Sequence, residues 1–364
     1  MIQGLRIPTR EEIQAFTVSA GFEIAGVAPV GTQADFGRFT DWVERGNAGG
    51  MGYLTDHRAA LRKDVRSLLP SAQSIICVGK LYNGPEPYST AFNDQERGWI
   101  ARYAWGEDYH HVLQRGLTQL AMDLAGMTGP FEWKACVDTA PVLERSLART
   151  AGLGWIGKNT CLINQARGSW FFLGELIVSL PLESTGESAP DRCGTCTRCI
   201  NACPTRAIVP GTGGGYEIDS RLCISYLTIE LRGRVDESLR AGVGRHIFGC
   251  DICQDVCPWN HRAPLTEDFA PRPDSFAPPL EKMAILTELE FKHMFRSTPV
   301  DRARYRGFLR NVAIAMGNSG SAALLEPLRK LTNFDDVEVR EHAIWALRKL
   351  ESEARACTES YSSV

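Results

Sequence analysis

The sequence predicts an α+β protein in three parts: an amino-terminal α/β domain, a cysteine-rich module and a carboxy-terminal helical segment. Three observations predict it. Apolar strand-like runs alternate with amphipathic helical runs before the cysteines. Eight of the 12 cysteines fall between Cys193 and Cys257. Beyond a proline-rich stretch, the run that starts at Arg310 recurs at Arg340, a period of 30.

A length of 364 residues fits two or three domains with ample core. A net charge of -3 argues against a generally basic nucleic-acid binder but allows a local basic patch. The amino terminus shows no apolar signal region and no twin-arginine pair, and no apolar run approaches the length of a membrane span. A cytoplasmic protein is expected, where thiolates stay reduced.

The elements follow in order. Thr9 and Glu12 make a capping box for a helix that aligns Ile13, Phe16 and Ala20, and Gly21 stops it. Residues 22–28 read as a strand. Residues 46–52 form a glycine-rich loop. It leads to a basic stretch with Arg58, Arg62, Lys63 and Arg66, expected on a helix face before Pro70. Residues 74–79 form a short apolar strand. Leu113, Leu117, Leu120 and Leu124 share one face of an amphipathic helix. Residues 137–142 place Asp138 at a strand end, and residues 143–148 read as a helix.

Gly152, Gly154 and Gly157 then form a loop before Lys158 and Asn159. Its spacing is not that of a phosphate-cradling loop, and no convincing helix follows to make a dinucleotide site. Glycine allows a large ligand to approach the backbone closely. With the second loop at Gly168 and Ser169, it predicts a ligand pocket near Asp138. An apolar strand then runs to about Leu180.

The first cysteine run is Cys193, Cys196, Cys199 and Cys203, followed by Pro204. That is C-x2-C-x2-C-x3-C-P, the spacing of a bacterial two-cluster ferredoxin. The second run is Cys223, Cys250, Cys253 and Cys257, followed by Pro258, with a long segment after Cys223. Two [4Fe-4S] clusters take eight thiolates, so the count closes. In this motif the last cysteine of each run serves the other run's cluster. Cys193, Cys196, Cys199 and Cys257 are therefore assigned to one cluster, and Cys203, Cys223, Cys250 and Cys253 to the other. Cys223 is the outlying member. Zinc sites pair C-x2-C units without a third cysteine or a C-P ending. Disulfide frameworks belong to short secreted chains. Cys77, Cys136 and Cys161 read as small buried hydrophobes, and Cys357 lies in a polar tail.

Residues 262–281 read as a connector. The repeated helical run after it resembles a short HEAT-like pair, which must dock on a neighbour to bury its apolar face. Lys292, Arg296, Arg302, Arg304, Arg306 and Arg310 form a basic cluster there. From about Glu353 the chain is polar and is expected to be disordered.

Residues 51–54, 108–110, 137–141, 152–159, 168–174 and 223–230, together with both cysteine runs, carry a family resemblance. The chain resembles the epoxyqueuosine reductases, cobalamin-dependent iron–sulfur enzymes of the last step of queuosine formation in tRNA. The likeness spans about residues 10 to 350. It implies a cobalamin-binding catalytic domain over 1–183, a two-[4Fe-4S] ferredoxin-like domain over 184–268, a HEAT-like domain over 282–352 and a disordered tail over 353–364. It implies cobalamin between the amino-terminal domain and the clusters, with Asp138 as proton donor. The stretch 108–110 lacks the glycine of a D-x-H-x-x-G cobalamin box, in keeping with a family whose cobalt takes no such histidine. Arg58, Lys158, Asn159 and Ser169 are the expected contacts to the corrin amides or to nucleotide phosphates. Arg302, Arg304 and Arg306 are the expected tRNA phosphate contacts. An external electron donor of the flavodoxin or ferredoxin kind and a monomeric, membrane-free protein are also expected.

A free aspartate titrates near 3.9 and is ionised at neutral pH. A donor role for Asp138 therefore predicts surroundings that raise its pKa. Reductive dehalogenases also pair a corrinoid with two clusters, and an electron-carrier subunit would use clusters without a substrate. The absent twin-arginine leader counts against the first, and the large glycine-loop domain against the second.

Overall fold

The computed structural model describes residues 6–186 and 189–362, with side chains through Ala354. Its main sheet has four strands in the order Ile24–Pro29, Ser74–Leu81, Phe171–Val178 and Trp133–Cys136. Every neighbouring pair is antiparallel. Alternating strands and helices suggested an α/β or α+β domain; here every hydrogen-bonded pair is antiparallel, although Ser74–Leu81 and Trp133–Cys136, on either side of Phe171–Val178, run parallel to each other. Helix Tyr109–Thr128 lies in the connection that carries Ser74–Leu81 past Phe171–Val178 to Trp133–Cys136, a split crossover inside an antiparallel ladder, so the domain is α+β. The strand Ser74–Leu81 is buried along its whole length, which is why it reads as a nearly continuous apolar run.

Helices cover both faces. On one, Ile13 of helix Arg10–Ser19 and Leu113, Leu117, Leu120 and Leu124 of helix Tyr109–Thr128 pack with Val78 and Leu176. The Thr9 capping box forms, and Gly21 at φ +89 ends the first helix. On the other face, Leu147 and Ala148 of helix Glu144–Thr150 pack with Ile75, Cys77 and Ile177.

The long segment after Cys223 carries helices Ile224–Ile229 and Glu237–Val243 and the strand His246–Phe248. That strand pairs in parallel with Trp99–Ile100. One hydrophobic core then joins Trp99, Trp105 and Phe248 to Phe291, Phe308, Val312, Leu328 and Leu350. The helical segment therefore docks, as its repeated apolar face required. Residues 99–105, expected to belong to the domain 1–183, lie in this second core.

Polar hooks fix the docking. Arg310, 2% exposed, donates to the carbonyls of Leu227, Leu231 and Gly233. Asn311 donates to the carbonyls of Thr228 and Ile247. Nε2 of buried His342 accepts the Val235 N–H at 3.1 Å. Arg310 thus leaves the expected basic surface and becomes an interior connector.

The expected tail disorder is also corrected. Helix Val337–Ser362 runs on through residues 353–362, and residues 363–364 lie outside the described residues. Its Glu, Ala, Arg and Lys content favours helix, and a Lys349–Glu353 ion pair at 2.6 Å spans one turn. No helix among the described residues is long and apolar enough to cross a membrane.

Candidate active site

Asp138 follows the edge strand Trp133–Cys136 and adopts φ +45, a left-handed conformation unusual for a residue with a Cβ. Tight contacts surround it: Thr139 N–H reaches Val137 O at 2.5 Å and Val142 N–H reaches Ala140 O at 2.8 Å. The turn turns the carboxylate outward, leaving the side chain 41% exposed.

Asp108 caps helix Tyr109–Thr128 through the His110 N–H. The same carboxylate lies 2.7 Å from His110 Nδ1, and His110 Nε2 lies 3.2 Å from Asp138 Oδ2. The Tyr109 ring stacks on Phe172 at 4.2 Å and 4° and on His110 at 4.2 Å and 28°. The imidazole is thus fixed between two carboxylates. From the helical segment, Arg302 brings a guanidinium nitrogen to 3.7 Å from Asp138 Oδ2 while its Nε holds Glu230 at 2.6 Å. Its guanidinium also lies 5.5 Å from the Tyr53 ring centre.

These contacts set the protonation states. Burial pushes the His110 pKa down, but its hydrogen bonds to Asp108 and Asp138 and their charges outweigh that and lift it to about 9. Burial pushes Asp138 up, but the hydrogen bond and charge of His110, then Arg302, hold it below the usual carboxylate range. The expected rise at Asp138 is therefore not found, because its nearest neighbours are cations rather than anions. At neutral pH the proton of this pair sits on His110. Behind the turn, burial and then the charge of Asp138 raise Glu144 to about 8. Burial, followed by the charge of Glu230, raises Tyr53 to about 12.

Two glycines of the glycine-rich loop have a packing role of their own. A Cβ on Gly154 would meet the Ile163 carbonyl oxygen at 2.1 Å, and one on Gly157 would meet Ile163 Cδ1 at 2.5 Å. These glycines let the hairpin of Trp155–Ile156 and Leu162–Ile163 close on itself. The residues beside them join the sheet domain to the cysteine module. Lys158 Nζ donates to the carbonyls of Gly194 at 2.6 Å and Cys196 at 3.0 Å. Asn159, 3% exposed, donates to Cys253 O at 3.3 Å. Ser169, 4% exposed, bonds with Asn260 and Gln254. Arg58 pairs with Asp56 at 2.6 Å and keeps a side chain 41% exposed.

The cysteines gather as their spacing predicted. Helices Arg198–Ala202 and Ile252–Asp255 pack together. Cys257 lies among Cys193 and Cys199, and Cys199 feels Cys193 and Cys196. Cys250 feels Cys223 and Cys203, and Cys253 feels Cys250 and Cys223. These neighbours fall within the two expected sets, Cys223 beside Cys203, Cys250 and Cys253, with Cys161 near both sets. Cys161, read as a plain hydrophobe, instead touches the Cys253 thiol.

The three arginines expected on tRNA part company. Arg302 faces Asp138. Arg304 and Arg306 line a cleft of about 370 Å³ with Arg232, Glu288 and Asp336. The Arg306 side chain, 73% exposed, lies 3.2 Å from Asp336. Sequence reasoning missed the roles of Glu230, Tyr53 and Glu144. Glu230 stands in a stretch carrying the family likeness, which was the available signal.

Comparison with known proteins agrees with this arrangement. Residues 192–260 match the 4Fe-4S double cluster binding domain, and residues 62–139 match the family described as epoxyqueuosine reductase QueG, DUF1730. The epoxyqueuosine reductase of Xanthomonas campestris is 40% identical over 92% of this chain and 94% of its own. That of Escherichia coli is 34% identical over 95% and 91%. An epoxyqueuosine reductase crystallised with an epoxyqueuosine-modified tRNA-Tyr stem loop superposes with a TM-score of 0.84 at 28% identity, covering 94% of this chain and 90% of that one. The Bacillus subtilis enzyme, solved with its catalytic aspartate loop swung out of the active site, superposes at 0.82 with 27% identity over 94% and 90%. Its likeness to these relatives along nearly its whole length shows that the chain belongs to the epoxyqueuosine reductase family of oxidoreductases.

Proposed function

We propose that this protein reduces epoxyqueuosine to queuosine in tRNA, using cobalamin and two [4Fe-4S] clusters, with protons passing through His110 and Asp138. The observation that carries this reading is the outward-facing Asp138 carboxylate, 3.2 Å from a charged His110 imidazole. Converting the epoxide to an alkene takes two electrons and two protons and releases water.

The residues present fit the cofactors. Each quartet of thiols matches the four ligands of one cubane. Near Asp138 stand a phenol, an imidazole, a guanidinium and carboxylates, none of which can take up two electrons. A Cβ on Gly52 would meet nothing within 4 Å, which leaves open surface beside Tyr53. Arg58 and the backbone at Gly52 would hold the corrin amides. Bound there, cobalamin supplies the two-electron chemistry at the epoxide carbon, fed by the clusters from an external flavodoxin- or ferredoxin-like donor.

The protein's own share is the proton. Asp138 presents a carboxyl oxygen to the leaving alkoxide and draws the proton from His110, whose cation Asp108 supports from behind. Arg302, held by Glu230, keeps a positive charge beside the Asp138 carboxylate. The tRNA is expected to meet the cleft at Arg304 and Arg306, with Arg302 reserved for the active site. Lys158, Asn159 and Ser169 serve the joint between domains, so any corrin contact from them runs through that joint. A monomeric cytoplasmic enzyme completes the reading.

The test is anaerobic incubation of reconstituted protein, cobalamin and a reductant with epoxyqueuosine-containing tRNA, followed by nucleoside analysis. Queuosine should appear, from protein carrying about eight irons per chain. Protein loaded with iron and cobalamin that leaves the epoxide intact would overturn the proposal, as would zinc in place of iron.

A further inference from the structure

We propose that Glu144 is a latch for the catalytic turn: a positioning residue that holds Asp138 in its working conformation by accepting its main-chain N–H. The inference rests on the reading of Asp138 as the group that delivers the proton.

The argument begins with the backbone. Asp138 has left the ladder, since the edge strand ends at Cys136. Its φ of +45 is disfavoured for a residue with a side chain, so a contact must compensate. Its N–H donates to Glu144 Oε1. That bond crosses the turn and ties an exposed residue to a helix. Glu144 opens helix Glu144–Thr150, whose Leu147 and Ala148 are 1% and 0% exposed in the core beneath the sheet. The acceptor is therefore anchored to rigid structure while the donor sits on exposed turn. Asp138 and Thr139 are both exposed, whereas Glu144 is half-buried.

The consequence is specific. With the latch closed, the Asp138 carboxylate faces His110 Nε2 at 3.2 Å. With it open, the left-handed conformation loses its compensation and the turn can relax away from His110. Glu144 thus acts on the reaction only through Asp138. An amide-to-carbonyl bond suffices, so glutamine can replace glutamate as acceptor.

The experiment compares E144Q and E144L in the parent and in a D138N background. Each protein is reconstituted with clusters and cobalamin and assayed by single turnover on epoxyqueuosine-containing stem loop. Hydrogen exchange across residues 137–143 is measured on the same samples. E144L should lower turnover about tenfold or more, the scale of losing one hydrogen bond to a carboxyl group, and should speed exchange at Asp138. E144Q should stay within about threefold on both readouts. In D138N, which has already lost the proton donor, E144L should cause no further fall. Should E144L fail to fold, E144D serves, because a side chain shorter by one methylene withdraws the acceptor. Equal losses in E144Q and E144L would overturn the latch. So would an E144L penalty that persists undiminished in D138N, or unchanged exchange at Asp138 in E144L and E144D. A D138N protein with parental turnover would sink the catalytic reading of Asp138 instead, and the exchange data would still judge the latch.

Discussion

Arg302 and Arg310 belong to one basic run in the sequence, yet they work in different regions of the molecule. Arg302 stands at the candidate active-site face, 36% exposed, shared between Glu230 and Asp138. Arg310, eight residues on, is 2% exposed and hands its protons to main-chain carbonyls of the segment after Cys223. The first region holds charged groups near solvent around an exposed turn. The second buries its charge and satisfies every direction with fixed acceptors. The difference teaches that charge in a helical stretch says little about its role. The role is decided by what docks against it, and here the docking partner lies some 80 residues earlier.

The largest expected effect tests the first region. D138N keeps the size and one acceptor oxygen but can neither take the proton from His110 nor pass it on. Turnover should fall by about 10² or more, the range of lost general-acid catalysis, while iron content, cobalamin binding and melting stay parental. Single-turnover conversion, normalised to iron and corrinoid, is the measurement. A structural Asp138 would show the reverse: altered stability with intact activity per folded molecule.

R310M tests the second region and should give the mirror image. It strips three carbonyls of a charged donor in the interior, so stability should fall by about 3 kcal/mol. Specific activity of the folded fraction should hold. Denaturant midpoints checked against turnover separate the two. If R310M instead behaves like an active-site variant with unchanged stability, the division into a working face and a fixed joint is wrong.

How legible was this division beforehand? The first helix, the long leucine-faced helix and the inner strands were plain, because capping and period fix them locally. The double-cluster module was plain too, because cysteine spacing is a local constraint that survives the long segment after Cys223. Strand direction was not legible: alternation of strand and helix is the same whether a connection crosses over or returns. Asp138 is singled out by resemblance alone, and the rise expected of its pKa is reversed by its neighbours. Nothing local to residues 137–142 reveals that His110 and Arg302 converge there from other elements. The glycines near Lys158 were read as a ligand cradle because glycine reports close approach without saying what approaches; Ile163 does. Arg310 and the helical tail failed for related reasons, since polarity in sequence reveals neither burial nor loss of order.

Two histidines sharpen the contrast through pH. His110 at the working face has its pKa raised from 6.5 to about 9, by Asp108 and Asp138 overcoming burial. A raised base contributes stability that is full below 6.5 and is lost as pH climbs through about 9. Turnover should decline over the same upper limb as the relay loses its proton, and H110Q should remove that limb. His342 in the joint is lowered from 6.5 to about 4, chiefly by burial. The unfolded chain then binds the extra proton first, so its contribution is lost as pH falls from about 6.5 toward 4. Melting temperature against pH for H110Q and H342Q should therefore deviate from the parent on opposite sides of neutrality. Deviations on the same side would mean that the two regions do not differ in how they hold their protons.

The smallest expected effect concerns the arginines that remain free of both regions. Arg304 and Arg306 line an open cleft with Arg232, and acidic Glu288 and Asp336 temper its charge. If tRNA phosphates enter there, each lost contact should lower the magnitude of the log–log salt slope of binding by roughly 0.7 to 0.9. R304A combined with R306A should then lower it by about 1.4 to 1.8 at most. Less is expected if Asp336, 3.2 Å from Arg306, already neutralises that charge in the free protein. R310M should change the slope little, because Arg310, although at the wall of the cleft, is 2% exposed and its guanidinium is committed to main-chain carbonyls. R302Q should alter turnover more than the slope, since its charge is committed to Glu230 and Asp138. Turnover of a minimal nucleoside substrate should survive the R304A and R306A changes, because that substrate brings no distant phosphates. Titration of stem-loop binding across a range of potassium chloride concentrations decides it. A slope unchanged in the double variant would make the cleft a solvated surface, and would send the search for the tRNA path to the other side of Arg302.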